Sequence, residues 1–93
     1  NWQAFLDYRQ EHGGRLLLLE TDGQVRYTDM QYRLSDYIVL GSESKGTPRA
    51  LYTQMDASVV IPMREGMRSL NVAMSAGMLV AEACRQSNWE FKA

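Results

Sequence analysis

Tyr37-Ile38-Val39-Leu40-Gly41-Ser42-Glu43-Ser44-Lys45-Gly46 reads YIVLGSESKG: four apolar residues that stop at a glycine, followed by an acid, a base and a second glycine. A short run that is apolar throughout, rather than alternating, fits a strand covered on both faces. Two other runs share that character. Arg15 to Glu20 reads RLLLLE and closes on the turn signal Thr21-Asp22-Gly23, and Ser58 to Ile61 is stopped by Pro62. Three such strands predict an α/β domain with a mostly parallel sheet and flanking helices. In open sheets of this kind ligands settle outside the carboxyl ends of the strands. Those ends are Leu19-Glu20, Gly41 and Ile61-Pro62.

Working outward, Trp2, Phe5, Leu6 and Arg9 fall at helical spacing, and Gly13-Gly14 supply the left-handed stop such a helix needs. The dozen residues after Gly23 are mixed polar and aromatic without periodicity and read as irregular. Pro48 is placed for the first turn of a helix running through about Met55. The last element, Ser69 to Gln86, carries two apolar stripes. Leu70, Ala73, Met74, Gly77, Ala81 and Cys84 make one; Val72, Ala76, Leu79, Val80 and Ala83 make the other. A helix apolar nearly all round is expected to be buried nearly all round. A sheet in so small a domain cannot cover both sides, so one face is expected to meet a second subunit, with its small residues allowing close approach.

Size and composition limit the function. Ninety-three residues form one domain at most, with a single core of marginal stability. A formal net charge of -1 gives no global basic field of the kind that marks a nucleic-acid binder from composition alone, so any RNA contact has to be local. The single cysteine, Cys84, has no internal partner and lies in an apolar helical pattern, which reads as a buried thiol in an intracellular protein. No apolar run approaches the length of a membrane span and no leader pattern opens the chain, so a soluble, cytoplasmic protein is expected. The chain opens on Asn1-Trp2 inside a helical pattern without an initiator methionine. It is therefore expected to be a piece of a longer chain.

Gly41 and Gly46 permit backbone conformations closed to other residues and leave room for a ligand against the main chain. Glu43 and Lys45 between them either orient polar groups or sit in water; a solvated loop after a strand accounts for the same residues. Arg68-Ser69-Leu70-Asn71 opens the final helix, where Ser69 is a natural N-cap and the helix start offers unpaired amides and a partial positive charge. Taken alone, that segment is explained slightly better by simple capping, with Asn71 completing the hydrogen bonding and Arg68 exposed. The combination of strand ends and a capped helix start converging on one rim favours a binding site. His12, beside two glycines at a helix end, reads as a capping or exposed residue. One histidine and one cysteine far apart give a zinc site no support. Phosphate-loop and dinucleotide fingerprints are absent. The methionines fit core positions or an adaptable interface.

With these segments in place, the chain resembles the SPOUT class of RNA methyltransferases, and within it the small branch that 2'-O-methylates the wobble nucleotide 34 (cytidine or uridine) of tRNA. LGSESKGTP, Leu40 to Pro48, is similar to that family's glycine-acid-glycine loop. IPMREGMRSLNVAMSAGMLVAEACRQ, Ile61 to Gln86, is similar to its final loop and helix, and a fainter likeness covers Trp2 to Gly23. The resemblance implies a C-terminal trefoil knot that binds S-adenosylmethionine, with knot and cofactor site at about 37–87 of a single domain spanning 1–93. It implies that Leu19, Gly41, Glu43, Gly46, Ile61, Met63, Ser69 and Leu70 bind the cofactor, largely through backbone groups. Arg68 and Asn71 are the implied catalytic residues. The implied partners are a tRNA substrate and a second copy of the chain, joined through the C-terminal helix, with no metal. The family's amino-terminal portion carries an N-x-G-N-x-x-R motif whose arginine assists at the ribose and phosphate, and this chain has no equivalent. Two other readings stay open: a 2'-O-methyltransferase of another tRNA or rRNA site, and a non-catalytic cofactor-binding or dimerisation module.

Overall fold

The computed structural model describes residues 1–40, 49–63 and 72–88, the side chains of Arg49 and Val72 excepted. In chain order these form α1 (Trp2–His12), β1 (Leu16–Leu19), β2 (Val25–Arg26), β3 (Tyr37–Leu40), α2 (Arg49–Tyr52), β4 (Ala57–Val60) and α3 (Val72–Gln86). The strands make one sheet in the order β2-β4-β1-β3. Every pairing is parallel, with Leu16–Leu19 against Tyr37–Leu40 on one side and Leu17–Leu19 against Ala57–Val59 on the other. The architecture expected from the apolar runs is the one observed.

The central strand explains the quadruple leucine. Leu16, Leu17 and Leu18 are completely buried and Leu19 nearly so, as a strand sandwiched between layers requires. Alternation sends Leu17 and Leu19 to one face, where they cluster with Val59, Met30 and Leu79 of α3. Leu16 and Leu18 take the opposite face. On that side α1 lies over the sheet, with the Phe5 ring meeting Tyr37, the register neighbour of Leu16, edge-on at 5.1 Å between centroids. Burial on both faces, expected of all three runs, holds for β1 alone. β3 ends the described sheet and its residues are half-buried or exposed, because no further strand covers that side.

Local chemistry sets the element ends. The Asn1 side chain accepts a hydrogen bond from the Ala4 amide at 2.8 Å and caps α1. Gly13, at a φ of 82°, closes that helix by donating its amide to the Arg9 carbonyl. The next turn is held by charge. Arg15 forks onto Asp36 through Nε and Nη2 at 2.9 and 2.8 Å and also donates to the Gln31 carbonyl, binding the start of β1 to the segment that leads into β3. Asp56 does the same for β4. Its Oδ2 accepts from the Leu16 amide at 2.7 Å and from Arg9 at 2.8 Å, joining α1, β1 and the entry of β4.

Some expectations need correction. The stretch after Gly23 is not wholly irregular: Val25 and Arg26 pair with Val59 and Val60 as a two-residue strand, too short to leave a periodic signal. That pairing depends on the absence of a side chain at Gly23, where a Cβ would sit 2.4 Å from the Val59 carbonyl. The helix expected through about Met55 ends at Tyr52 and gives way to turns in which Gln54 and Met55 donate to the carbonyls of Leu51 and Tyr52. As expected of a domain this small, its own chain covers only one side of α3. Leu79, Glu82 and Ala83 are buried, whereas Ala73, Met74, Gly77, Val80 and Ala81 are exposed. Cys84, expected buried, is half-buried between the two faces.

Candidate functional site

Parallel pairing brings the carboxyl ends of three strands side by side. Leu19 stands opposite Leu40 of β3 and Val59 of β4, so the chain leaves β1, β3 and β4 along one edge of the sheet. This edge is unusually apolar for a surface. Leu40 is 43% exposed, Met63 just past β4 is 38% exposed, and Tyr52 of α2 is 41% exposed. Ile61 is half-buried and packs against the core cluster that contains Leu19. Open apolar side chains beside strand-end backbone are what a planar organic ligand requires.

Among the sequence-predicted site residues, Leu19, Ile61 and Met63 can be located, and the sheet gathers them at this rim. Leu19 contributes no side chain to it, because that group is only 7% exposed and belongs to the core. Gly41, Glu43, Gly46, Arg68, Ser69, Leu70 and Asn71 lie outside the described residues. His12 is exposed, its Nδ1 is 2.8 Å from the Tyr8 carbonyl, and its ring stacks on Tyr8, matching a helix-end role. Among the described residues no cluster of His, Cys, Asp or Glu is arranged to hold a metal, and no helix is long and apolar enough to cross a membrane.

Sequence reasoning missed Glu20, the residue after Leu19. Its amide donates to the Val59 carbonyl at 3.0 Å, continuing the ladder by one step, and its carbonyl accepts from the Gly23 amide. The Tyr52 hydroxyl donates to Oε1, while Oε2 is buried with no hydrogen-bond partner. The available signal was an acid closing an apolar strand, RLLLLE, at a position where ligands gather.

A concavity lies elsewhere. An open polar groove of about 560 Å³ is lined by Thr28, Gln31, Arg85 and Ser87, among others. Its Gln31 is tied to Arg15 at the start of β1, so the groove lies toward the amino end of the sheet, away from the rim. A carboxylate network consolidates it. Glu82 accepts from Arg85 at 2.9 and 2.8 Å and from the Gln86 amide at 2.9 Å, while Gln86 also donates to the Met30 carbonyl and accepts from the Tyr32 amide. The Arg85 guanidinium, followed by Gln86, holds the Glu82 carboxyl down to about 2. Burial, aided by the Glu82 charge, pushes the Tyr32 hydroxyl up to about 12. At neutral pH Glu82 is therefore a carboxylate and Tyr32 a neutral phenol, and both serve structure.

The sequence model of the SpoU rRNA Methylase family matches residues 1–81. The chain belongs to the SpoU rRNA Methylase family. It is 42% identical over 87 residues to the tRNA (cytidine(34)-2'-O)-methyltransferase of Ancylobacter novellus, covering 94% of this chain and 55% of that protein. This SpoU chain therefore spans about half the length of the curated relatives it matches. Its fold superposes with a TM-score of 0.83 and 31% identity on a structure described as giving insight into the 2-OH methylation of C/U34 on tRNA, covering 95% of this chain and 57% of that one. It also matches the SpoU methyltransferase AviRb from Streptomyces viridochromogenes in complex with AdoMet, with a TM-score of 0.78 and 27% identity, over 92% of this chain and 35% of that one.

Proposed function

We propose that the chain is the cofactor-binding part of an S-adenosylmethionine-dependent enzyme that methylates a ribose 2'-hydroxyl of tRNA at the wobble nucleotide 34. The observation that carries this reading is the rim itself: three parallel strand ends converge beside exposed Leu40, Tyr52 and Met63. Membership of the SpoU family and relatives named for cytidine-34 methylation point to the same chemistry.

The residues present fit the cofactor. An apolar rim suits the adenine ring, strand-end backbone suits ribose and adenine edges, and the unpaired Oε2 of Glu20 suits a hydrogen-bond donor. Leu19 through its main chain, with Ile61 and Met63, would hold the molecule. Gly41, Glu43, Gly46, Ser69 and Leu70 complete the set, and the resemblance of 40–48 and 61–86 to the family's knotted segments supports a trefoil knot there. Bound S-adenosylmethionine supplies an electrophilic methyl group. The protein's task is to align a ribose oxygen in line with that group, exclude water and help remove the hydroxyl proton. Arg68 and Asn71, beside the start of the last helix, are assigned to the ribose and phosphate.

A homodimer accompanies this function. Met74 and Val80 are 59% and 49% exposed on a continuous apolar face of α3, which is suited to a second copy of the helix. The relatives' tRNA substrate implies a cytoplasmic location. The experiment is methyl transfer by the full-length protein from labelled S-adenosylmethionine to unmodified tRNA, followed by nucleoside mapping. A 2'-O-methylated residue 34 is expected. A labelled base, or label confined to another tRNA site, overturns the assignment.

A further inference from the structure

Glu20 is fixed in a manner that its own chain does not use. Its backbone is bonded on both sides, to Val59 through the amide and to Gly23 through the carbonyl, which fixes the point from which the side chain extends. The Tyr52 hydroxyl then engages Oε1 and sets the plane of the carboxylate, leaving Oε2 buried and unpaired at the carboxyl end of the central strand. Removing a carboxylate oxygen from water without replacing its hydrogen bonds is unfavourable, so an orphan of this kind calls for a partner such as water, an ion or a ligand.

We propose that Oε2 of Glu20 accepts a hydrogen bond from an N–H or O–H donor of bound S-adenosylmethionine, and that Tyr52 is the positioning residue that holds the carboxylate for it. The assignment rests on the cofactor reading above. Donors exist in both halves of that molecule: an exocyclic amine and ribose hydroxyls in the nucleoside, and an ammonium group in the amino-acid chain. A carboxylate suits either half, and a charge-assisted bond makes it a strong anchor. Glutamine at this position, with its carbonyl kept by Tyr52, would present an amide donor to a ligand donor. Leucine would present nothing.

The test is calorimetric titration of the full-length protein and its Glu20→Gln, Glu20→Leu and Tyr52→Phe variants. Two ligands are used: S-adenosylmethionine, and 5'-methylthioadenosine, which keeps the nucleoside and lacks the amino-acid chain. Both Glu20 variants are expected to bind S-adenosylmethionine about tenfold or more weakly, the loss typical of a hydrogen bond to a charged group. Tyr52→Phe should lose less, and combining it with Glu20→Leu should add little further loss. Equal losses for the two ligands locate the donor in the nucleoside; a loss confined to S-adenosylmethionine locates it in the ammonium group. Ligand-free unfolding midpoints supply the control, and if Glu20→Leu fails to fold, Glu20→Gln carries the comparison. Variants that bind both ligands within about twofold of a wild type that does bind would overturn the role of Glu20 and leave the cofactor reading standing. A wild type that takes up no S-adenosylmethionine removes both.

Discussion

Replacing Gly23 by alanine tests whether the close approach of two backbones holds the end of the sheet together. A Cβ at that position would lie 2.4 Å from both the carbonyl carbon and the oxygen of Val59, and 2.8 Å from the Val60 amide nitrogen. Ordinary van der Waals contact begins at 3.4 Å, so relief demands about 1 Å of movement. The obstructing atoms are main chain, fixed by the pairing of β4 with both β1 and β2, and cannot rotate away as a side chain would. Overpacking of this kind costs about 1–3 kcal/mol. Set against it is a gain of about 0.4–1 kcal/mol, because alanine restricts the unfolded chain more than glycine does. A net destabilisation of about 1–2 kcal/mol is expected, read from urea unfolding at constant slope. Hydrogen exchange should quicken at the Tyr27 amide, which donates to the Val60 carbonyl at 2.8 Å, because β2 must move off β4 first. A Gly23→Ala protein as stable as the wild type, or more so, with Tyr27 protection unchanged, would refute the reasoning.

Other consequences are equally specific. Asp56→Ala removes the acceptor of the Leu16 amide and the partner of Arg9 together, and should cost about 1–3 kcal/mol by urea unfolding; a loss within error would mean that solvent replaces both bonds. Acid should destabilise the fold through Glu82 and Asp36. Burial alone would raise Asp36, but the Arg15 hydrogen bond and the Arg33 amide outweigh it, so both carboxyls are lowered. Their contribution is complete above the ordinary carboxylate range and is lost as pH falls through the folded values, for Glu82 from 4.5 down to about 2. Urea midpoints followed across that window should fall, and Arg85→Ala should flatten the decline; an unchanged acid limb in the variant would contradict the link. Gly77→Leu separates a lone helix from a covered one. Among the described residues nothing beyond its own helix turn lies within 4 Å of a Cβ there, so an uncovered helix gains propensity, whereas a helix pressed against a second copy loses dimer stability in light scattering.

Much of the fold was legible because its signals were local. RLLLLE and YIVL announced parallel strands by being apolar without alternation, although only the first is buried on both faces, and Gly13-Gly14 ended α1 where a left-handed residue is needed. β2 escaped because two residues carry no period, and its partner, β4, lies more than thirty residues away. The two stripes of α3 were read correctly as apolar, but nothing in their composition distinguishes a face that meets leucines from one that awaits another surface. At the site, strand ends could be named in advance, since the chain order of apolar runs fixes them. Glu20 could not, because its significance depends on Tyr52, thirty-two positions later, taking one carboxylate oxygen and leaving the other unpaired.

Where the methyl donor sits decides the function. Amide chemical shifts of the full-length protein, recorded as S-adenosylmethionine is titrated in, report that position without requiring catalysis. The largest changes are expected at Leu19, Glu20, Ile61 and Met63, with little change at Thr28, Gln31, Arg85 and Ser87. Changes centred on the latter groove, or spread evenly over the chain, would contradict a cofactor held at the strand ends.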